Sequence, residues 1–360
     1  MLFIGPKITP VFSLDRPYPH SVLSDETFSQ IKYRGFLFAI ERPLSQMAVW
    51  QGDSLHLWPL KEERPELKLF LPHLPHIHQS GFGGDLENKP LKITFAVTHG
   101  RKSIPVAHYD WPSLFAERTW WERAYHTLPP DVIPPRHLIR LTQGVEDPYA
   151  YLGSIFTGAW LLKRLLPTLP LRVLDFGCGT GRLTLSWWIL QELASNKGKI
   201  TGVDLNPDLL HWAEQGLPSH IRWEQGKLRP PLPFASGSFD CIMLVSVFTH
   251  LSLETQRLWL KEFYRLLAPR GSLILTLHGY VYAQALLTPS QQKTFFKKGY
   301  FELPGPEGSN TFTSFHRPGF TLRLLRPGFR LLRFFKRGNL GQPFPFGLAF
   351  LQDVYLFQRL

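Results

Sequence analysis

The chain has 360 residues, of which 44% are hydrophobic and 19% are charged, and its formal net charge is +12. This composition excludes the disordered class, and the length predicts two domains that each bury a core. The start of the chain lacks a signal-peptide pattern and no stretch has the apolar length of a membrane span, so we expect a cytoplasmic protein.

Residues that could bind a metal are sparse. The two cysteines, Cys178 and Cys241, indicate neither a disulfide framework nor a zinc site. His73, His76 and His78 alternate with prolines, but no nearby cysteine or acid completes a set of ligands. We therefore predict that the protein holds no metal.

The first part of the chain reads as antiparallel strands. The short alternating runs Gly35–Ile40 and Leu91–Val97 are broken by Pro, Gly and Asn, which is typical of a small β-sandwich. We predict an all-β domain over residues 1–110.

Residues 111–145 are predicted to form a linker. They are rich in aromatic residues, prolines and basic groups, and we expect one helix around Phe115–Tyr125. Trp120 and Trp121 are interpreted as packing between the domains. A longer helix over Tyr149–Leu166 would then lie against the sheet that follows.

The most informative stretch reads Val-Leu-Asp-Phe-Gly-Cys-Gly-Thr-Gly over Val173–Gly181. It predicts an apolar strand with an acid near its end, followed by a loop through Gly177, Gly179 and Gly181. A dinucleotide-binding turn instead reads G-x-G-x-x-G and places a pyrophosphate at a helix N-terminus. Asp175 would repel phosphate, and it suits a ligand with a positive end, such as the ammonium and sulfonium of S-adenosylmethionine.

A second strand with an acid at its end supports this interpretation. Lys199–Asp204 is apolar and ends in a carboxylate about 20 residues further on, where it can take both ribose hydroxyls. Asn206 is expected to cap the next helix, and Pro207 fits the first helical position. This places Asp204 and Leu205 at the cofactor crevice.

The rest of the chain continues the alternation of strands and helices. We predict a fourth strand over Cys241–Ser246, a loop over Val247–Leu251, a helix over Leu258–Leu267 and a fifth strand over Ser272–Leu277. The strings DFGCGTGR, LPF…SFD, SVFTHL and LTLHG together resemble the small-substrate branch of the class I S-adenosylmethionine-dependent methyltransferases. The resemblance begins near Pro148 and covers more than half of the chain.

This resemblance implies an α/β fold with a Rossmann-like seven-stranded methyltransferase sheet over residues 146–360 and S-adenosyl-L-methionine as the cofactor. It implies methyl transfer to a small molecule or glycan, with O-methylation favoured. It also implies that Tyr151, on the helix before the first strand, and Ser246 contribute to the cofactor site.

Two alternatives stay open. A nucleic-acid methyltransferase would agree with the basic charge, but enzymes that methylate base amines usually carry an Asn/Asp-Pro-Pro-aromatic loop where this chain has Ser246–His250. We therefore expect no nucleic-acid partner. A scaffold that binds the cofactor without turnover is the other alternative. The intact Asp175 and Asp204 argue against it, but they indicate cofactor binding and not catalysis.

The N-terminal part carries a second resemblance. The run Arg64–Pro75, followed by Gln79–Phe82, resembles the immunoglobulin-like β-domain found beside bacterial glycosyltransferases and methyltransferases. It implies glycan-related chemistry or an interaction role, and it names no protein partner.

Methyl transfer is an in-line displacement, so the protein has to hold donor and acceptor in contact and manage one proton. His250 and His278, in the loops after the fourth and fifth strands, are the candidate catalytic bases. Ser252 is predicted to cap the next helix, whose positive end would keep His250 neutral. His250 is therefore the first candidate.

The adenine pocket departs from the usual pattern. Many relatives carry an acid after the third strand, whereas Glu224–Leu228 offers Lys227 there. We expect adenine to be read by backbone groups or by Gln225.

Basic residues run from Arg317 to Arg337 with no acid among them, and they are interleaved with Leu and Phe. We interpret this stretch as the solvated side of a last helix and a sixth strand. A weak contact with an anionic membrane surface is the alternative.

Overall fold

The computed structural model describes residues 10–16, 30–39, 44–63, 79–87, 92–99, 102–110, 118–144, 146, 148–196, 198–336 and 352–360. His73, His76, His78, the run Arg64–Pro75 and Arg337 lie outside the described residues. Contacts divide the described chain into two units, one ending at Tyr125 and one beginning at His126.

The described strands of the first unit pair antiparallel throughout. They form a sheet of order β1-β2-β5 and a sheet of order β4-β3-β6-β7. The bounds are β1 Pro10–Arg16, β2 Gln30–Ala39, β3 Gln46–Gln51, β4 Ser54–Pro59, β5 Gly81–Glu87, β6 Lys92–His99 and β7 Lys102–Asp110. Val49 of β3 and Phe95 of β6 are cross-strand partners and both are fully buried. Antiparallel pairing agrees with the predicted all-β character of this region.

The second unit is built on a seven-stranded sheet of order β10-β9-β8-β11-β12-β16-β15 among the described residues. The first five strands pair in parallel, and β16 pairs antiparallel with both neighbours. The bounds are β8 Arg172–Phe176, β9 Lys199–Asp204, β10 Arg222–Gln225, β11 Phe239–Leu244, β12 Leu267–Leu277, β15 Phe329–Phe335 and β16 Asp353–Arg359. The predicted Rossmann-like seven-stranded sheet is therefore confirmed.

Helices cover this sheet, so the central strands are buried on both faces and read as continuous apolar runs. The helices of the second unit are α2 Arg136–Gln143, α3 Pro148–Leu165, α4 Arg182–Leu193, α5 Pro207–Gly216, α6 Leu253–Leu266, α7 Tyr280–Leu286, α8 Pro289–Lys298 and α9 Pro318–Leu325, while α1, Arg118–Thr127, spans the boundary between the units. Trp259 and Phe263 of α6 pack on Phe176 of β8, with ring centroids 4.4 and 5.1 Å away. This contact fixes the end of β8 from which the glycine loop starts.

An insertion follows β12 at the carboxyl ends of the parallel strands. It contains α7, α8 and a hairpin made of β13, Tyr300–Leu303, and β14, Thr313–His316. Its small core consists of Ala283, Leu287, Phe295 and Phe315.

Several boundaries differ from the sequence prediction for physical reasons. α2 was not predicted, because it begins after Pro135 without a side-chain cap or an acid in its first turn. α6 begins at Leu253 rather than Leu258, since the Ser252 hydroxyl accepts the Thr255 N–H at 3.3 Å. β11 is Phe239–Leu244 rather than Cys241–Ser246, and Ser246 instead has a φ of 61°.

The basic stretch forms α9 and β15, the elements predicted for it. Leu325 and Phe329 are buried, whereas Arg323, Arg326 and Arg330 are exposed. Within the described residues, no helix combines the length and the apolarity that a membrane crossing requires.

Candidate cofactor and active site

A cavity of about 540 Å³ opens at the carboxyl ends of β8, β9 and β11. The glycine loop, the start of α5 and the turn after β10 line it. It is also lined by Leu141 and Thr142 of α2, by Val245–Val247, His250 and Leu251, and by the hairpin residues Gly308–Asn310.

The glycine loop makes room for a ligand by its backbone shape. The N–H groups of Gly177 and Cys178 donate to the Val203 carbonyl at 2.7 and 3.0 Å, which ties the loop to β9. Gly177 has a φ of 74°, and a Cβ atom there would lie 2.3 Å from Val247 Cγ2. Gly177 and Gly179 line the cavity.

Gly181 has a different role from the one predicted. It lies outside the cavity lining and precedes α4 with a φ of 80°. A Cβ atom at this position would lie 2.5 Å from Leu217 Cδ1 and 2.7 Å from Trp223 Cη2. Gly181 therefore allows close packing behind the loop.

Asp204 ends β9 inside the cavity with its carboxylate held in place. Oδ2 accepts the Gly179 N–H at 2.7 Å and Oδ1 accepts the Asn206 N–H at 2.9 Å. Asn206 itself caps α5 by accepting the Asp208 N–H at 2.9 Å, as predicted. Each Asp204 oxygen keeps a lone pair, so the carboxylate can accept from two vicinal hydroxyls.

Asp175 and Arg182 both line the cavity as ionisable side chains. Asp175 is 2% exposed and accepts the Thr184 hydroxyl at 2.7 Å. Burial raises the pKa of Asp175 to about 7, although the Thr184 hydrogen bond and the charge of Arg182 act in the other direction. An acid beside a guanidinium suits a zwitterionic amino-acid group. Arg182 was not predicted as a site residue, although a basic residue directly after the third glycine of the loop could have indicated it.

Two other predicted cofactor residues lie outside the cavity lining. Tyr151 is fully buried, where its hydroxyl donates to the Thr180 carbonyl at 3.2 Å, so it supports the glycine loop from behind. Gln225 is exposed at the end of β10, because the strand turns its side chain to solvent. Gly226, Lys227 and Leu228 line the cavity instead, which leaves backbone groups to read a base.

Ser246 lines the cavity in a left-handed backbone conformation that is uncommon outside glycine. Its N–H donates to Thr276 Oγ1 at 2.8 Å, and its Oγ accepts from Gln352 Nε2 at 2.8 Å. Leu205 also lines the cavity and is 43% exposed.

His250 lines the cavity, and a hydrogen bond fixes its protonation. Its Nδ1 lies 2.9 Å from the Phe312 carbonyl. Because a carbonyl only accepts, Nδ1 carries the proton and Nε2 is free of one in the neutral ring. Burial lowers the pKa of His250, against the effect of this hydrogen bond. Burial is thus one cause that keeps the ring neutral.

His278 lies outside the cavity lining. It is 6% exposed, stacks on Tyr282 at 3.9 Å between centroids, and its Nδ1 has no hydrogen-bond partner among the described residues. Burial, together with His250 and His316, lowers the pKa of His278 well below its usual range. Of the two predicted bases, the structure brings His250 to the cavity.

Comparison with known proteins agrees with this geometry. Residues 173–271 match the family model described as a methyltransferase domain. The Bacillus subtilis methyltransferase YqeM is 29% identical over 111 residues, which are 30% of this chain and 42% of YqeM. The methyltransferase YodH of the same organism is 32% identical over 130 residues, which are 35% of this chain and 51% of YodH. The chain therefore spans about half or less of the length of these relatives.

Solved structures also align with the chain. A protein from Pyrococcus horikoshii has a TM-score of 0.41 at 17% identity, covering 59% of this chain and 92% of that protein. An S-adenosylmethionine-dependent methyltransferase from Methanosarcina mazei has a TM-score of 0.41 at 22% identity, covering 56% of this chain and 97% of that protein.

The cavity has polar side chains that fit the groups of S-adenosylmethionine. Asp175 and Arg182 match its amino-acid group, and the two oxygens of Asp204 match its ribose diol. No group of three His, Cys, Asp or Glu side chains in the described part of the chain is arranged to hold a metal ion. Residues 173–271 thus match a methyltransferase domain, and the cavity at the carboxyl ends of the parallel strands agrees with that match.

Proposed function

We propose that the protein transfers the methyl group of S-adenosylmethionine to a hydroxyl group of a small molecule or glycan. The observation that carries this proposal is His250 in the cavity lining, with its Nδ1 2.9 Å from the Phe312 carbonyl. Burial lowers the pKa of His250, so the ring is neutral near neutral pH and its Nε2 can accept the proton of a hydroxyl group.

In the proposed site, Asp204 binds the ribose hydroxyls, while Asp175 and Arg182 hold the amino-acid group. Gly177 and Gly179 let the backbone approach the cofactor, and Ser246, in the loop after β11, also contacts it. Bound S-adenosylmethionine would supply a methyl group on a positively charged sulfur.

His250 is the proposed general base. Its Nε2 would accept the proton of the acceptor hydroxyl as the methyl group is transferred. The Phe312 carbonyl supports this role because it keeps the proton of the neutral ring on Nδ1.

No specific observation favours the alternatives. The loop Ser246–His250 lacks the Pro-Pro-aromatic sequence of base-amine methyltransferases. A scaffold that only binds the cofactor would have no use for a base held in one tautomer.

We also propose that residues 1–110 form an immunoglobulin-like β-domain, followed by a linker over residues 111–145. The antiparallel pairing of β3 with β4 and β6 supports this domain. A cytoplasmic location is proposed because Cys178 and Cys241 are both free thiols.

The acceptor can be found by comparing the metabolites and glycans of a deletion strain with those of its parent, looking for a missing methyl group. With that acceptor, His250→Ala should lower turnover about a hundredfold or more while the affinity for S-adenosylhomocysteine stays nearly unchanged. The wild-type rate should rise with pH and level off, with a midpoint below that of an ordinary histidine because the His250 pKa is lowered.

This pH-dependent limb should vanish in His250→Ala and persist in His278→Ala, which changes a histidine outside the cavity. Normal turnover by His250→Ala with an unchanged pH profile would remove His250 from the mechanism and leave a site that works by positioning.

A further inference from the structure

The segment that carries His250 is held by the loop 304–312 of the β13–β14 hairpin. His250 Nδ1 donates to the Phe312 carbonyl, and the His250 carbonyl accepts the Gly308 N–H, both at 2.9 Å. Phe312 is 7% exposed, so its side chain anchors the far end of the loop. The tautomer of His250 therefore depends on where this loop lies.

Glu307 ties the near end of the loop to the start of α6. Its Oε1 accepts the backbone N–H of Ser252 at 2.5 Å. Burial opposes its ionisation, but hydrogen bonds from Ser252 and Thr255 and the charge of Arg229 lower the pKa of Glu307 below its usual value. The carboxylate is thus ionised at neutral pH and faces the positive end of a helix.

Glu302 makes a similar contact from a different place. Its Oε1 accepts the Leu253 N–H at 2.8 Å, one residue further along the same helix. It lies in β13, where pairing with Ser314 of β14 fixes its backbone. Glu302 therefore caps the helix without holding the loop that carries Phe312.

We propose that Glu307 is a positioning residue for His250. By tying the loop 304–312 to the Ser252 N–H, it keeps the Phe312 carbonyl on His250 Nδ1. The imidazole is thereby held in the tautomer whose Nε2 accepts a proton. The importance of this tautomer for turnover rests on the proposed function, but the tautomer is a property of the protein without substrate and can be measured directly.

The test is the tautomer of His250 in the full chain labelled with ¹⁵N-histidine, read from two-bond ¹H–¹⁵N correlation spectra at a pH where the ring is neutral. The His250 signals are assigned by their loss in His250→Gln. We expect a protonated Nδ1 in the wild type and in Glu307→Gln, which keeps an acceptor oxygen. Glu307→Ala should shift His250 towards a protonated Nε2, because the Phe312 carbonyl is no longer held in place.

Glu302→Ala is the matched control, since it removes a cap from the same helix and should leave the tautomer unchanged. Ser252→Pro is a second way to break the contact between Glu307 and the start of α6. Ser252 has a φ of −66°, which proline adopts, so this variant removes the N–H that Glu307 accepts. Ser252→Ala removes the hydroxyl, which caps α6 and also contacts Glu307, but it keeps the backbone N–H that Glu307 accepts, and it should keep the wild-type tautomer.

The affinity for S-adenosylhomocysteine, measured by calorimetry, should stay within about twofold of wild type in all these variants. A wild-type protein with its proton on Nε2 would overturn the proposal. An unchanged tautomer in both Glu307→Ala and Ser252→Pro, or an equal shift in Glu302→Ala, would do the same. Failure of the proposed function would instead appear as normal turnover in His250→Ala, whatever the tautomer.

Discussion

Asp175 is the residue whose charge depends most directly on folding. Burial raises its pKa from 3.8 to about 7, even though Thr184 donates a hydrogen bond to the carboxylate. The folded protein therefore holds a proton that the unfolded chain releases. The corresponding stabilisation is fully present below pH 3.8 and is lost as the pH rises to about 7.

Asp175→Asn should therefore make the stability of the cofactor-free protein less dependent on pH. Relative to wild type, the variant should gain free energy of unfolding between about pH 4 and about pH 8, by up to roughly 4 kcal/mol. Urea denaturation across this range measures the difference. Asp208→Asn, an exposed acid in the first turn of α5, is the control and should follow the wild-type curve. Parallel curves for Asp175→Asn and wild type would contradict the raised pKa.

Asp204 allows a direct test of cofactor binding. Asp204→Ala removes a charged acceptor for two hydroxyls and also leaves the N–H groups of Gly179 and Asn206 unpaired. We expect the affinity for S-adenosylhomocysteine to fall at least about tenfold in calorimetry. Asp208→Ala should bind as wild type does. Tight binding of NAD by the wild type would show that the ligand has been misassigned.

At the scale of elements, the features that depend on neighbouring residues could be predicted from the sequence. The long-range contacts could not. The glycine loop, Asp204 and the Asn206 cap are each determined by neighbours within a few residues, and the structure has them where the pattern predicts. Ser252 was predicted as a cap for the same reason.

The contacts that complete the site join residues far apart in the chain. His250 and Phe312 meet only because the hairpin folds back over α6, and no local pattern indicates this. Tyr151 and Gln225 were placed on the right elements, but the sequence did not show which way their side chains point. α2 was not predicted because it lacks a side-chain cap.

The basic stretch over α9 and β15 leads to a prediction about partners. Arg330 donates to Gln358 Oε1 at 2.7 Å and Arg333 to the Arg164 carbonyl at 3.1 Å, while Leu325 and Phe329 are committed to the core. We expect only weak, salt-sensitive sedimentation with anionic liposomes or DNA. Strong binding at physiological salt that is lost in Arg330→Glu plus Arg333→Glu would show that this face is a polyanion site.

At the scale of the whole molecule, the boundary near Tyr125 separates the antiparallel sheets of the first unit from the mixed seven-stranded sheet of the second. The cavity is lined by residues from Leu141 onward. We therefore expect residues 128–360 expressed alone to bind S-adenosylhomocysteine with an affinity within about threefold of the full chain. An insoluble product, or a soluble one without affinity in calorimetry, would mean that the two units share a core.

The position of β16 has a consequence for synthesis on the ribosome. This strand enters the sheet between β12 and β15, pairing Leu273 with Phe357 and Phe329 with Arg359. Translation has to pass residue 359 before either pairing can form, whereas β8, β9 and β11 emerge much earlier. The cofactor cleft can therefore take shape on the nascent chain while β12 still presents an unpaired apolar edge, and that edge is where premature association between nascent chains would begin.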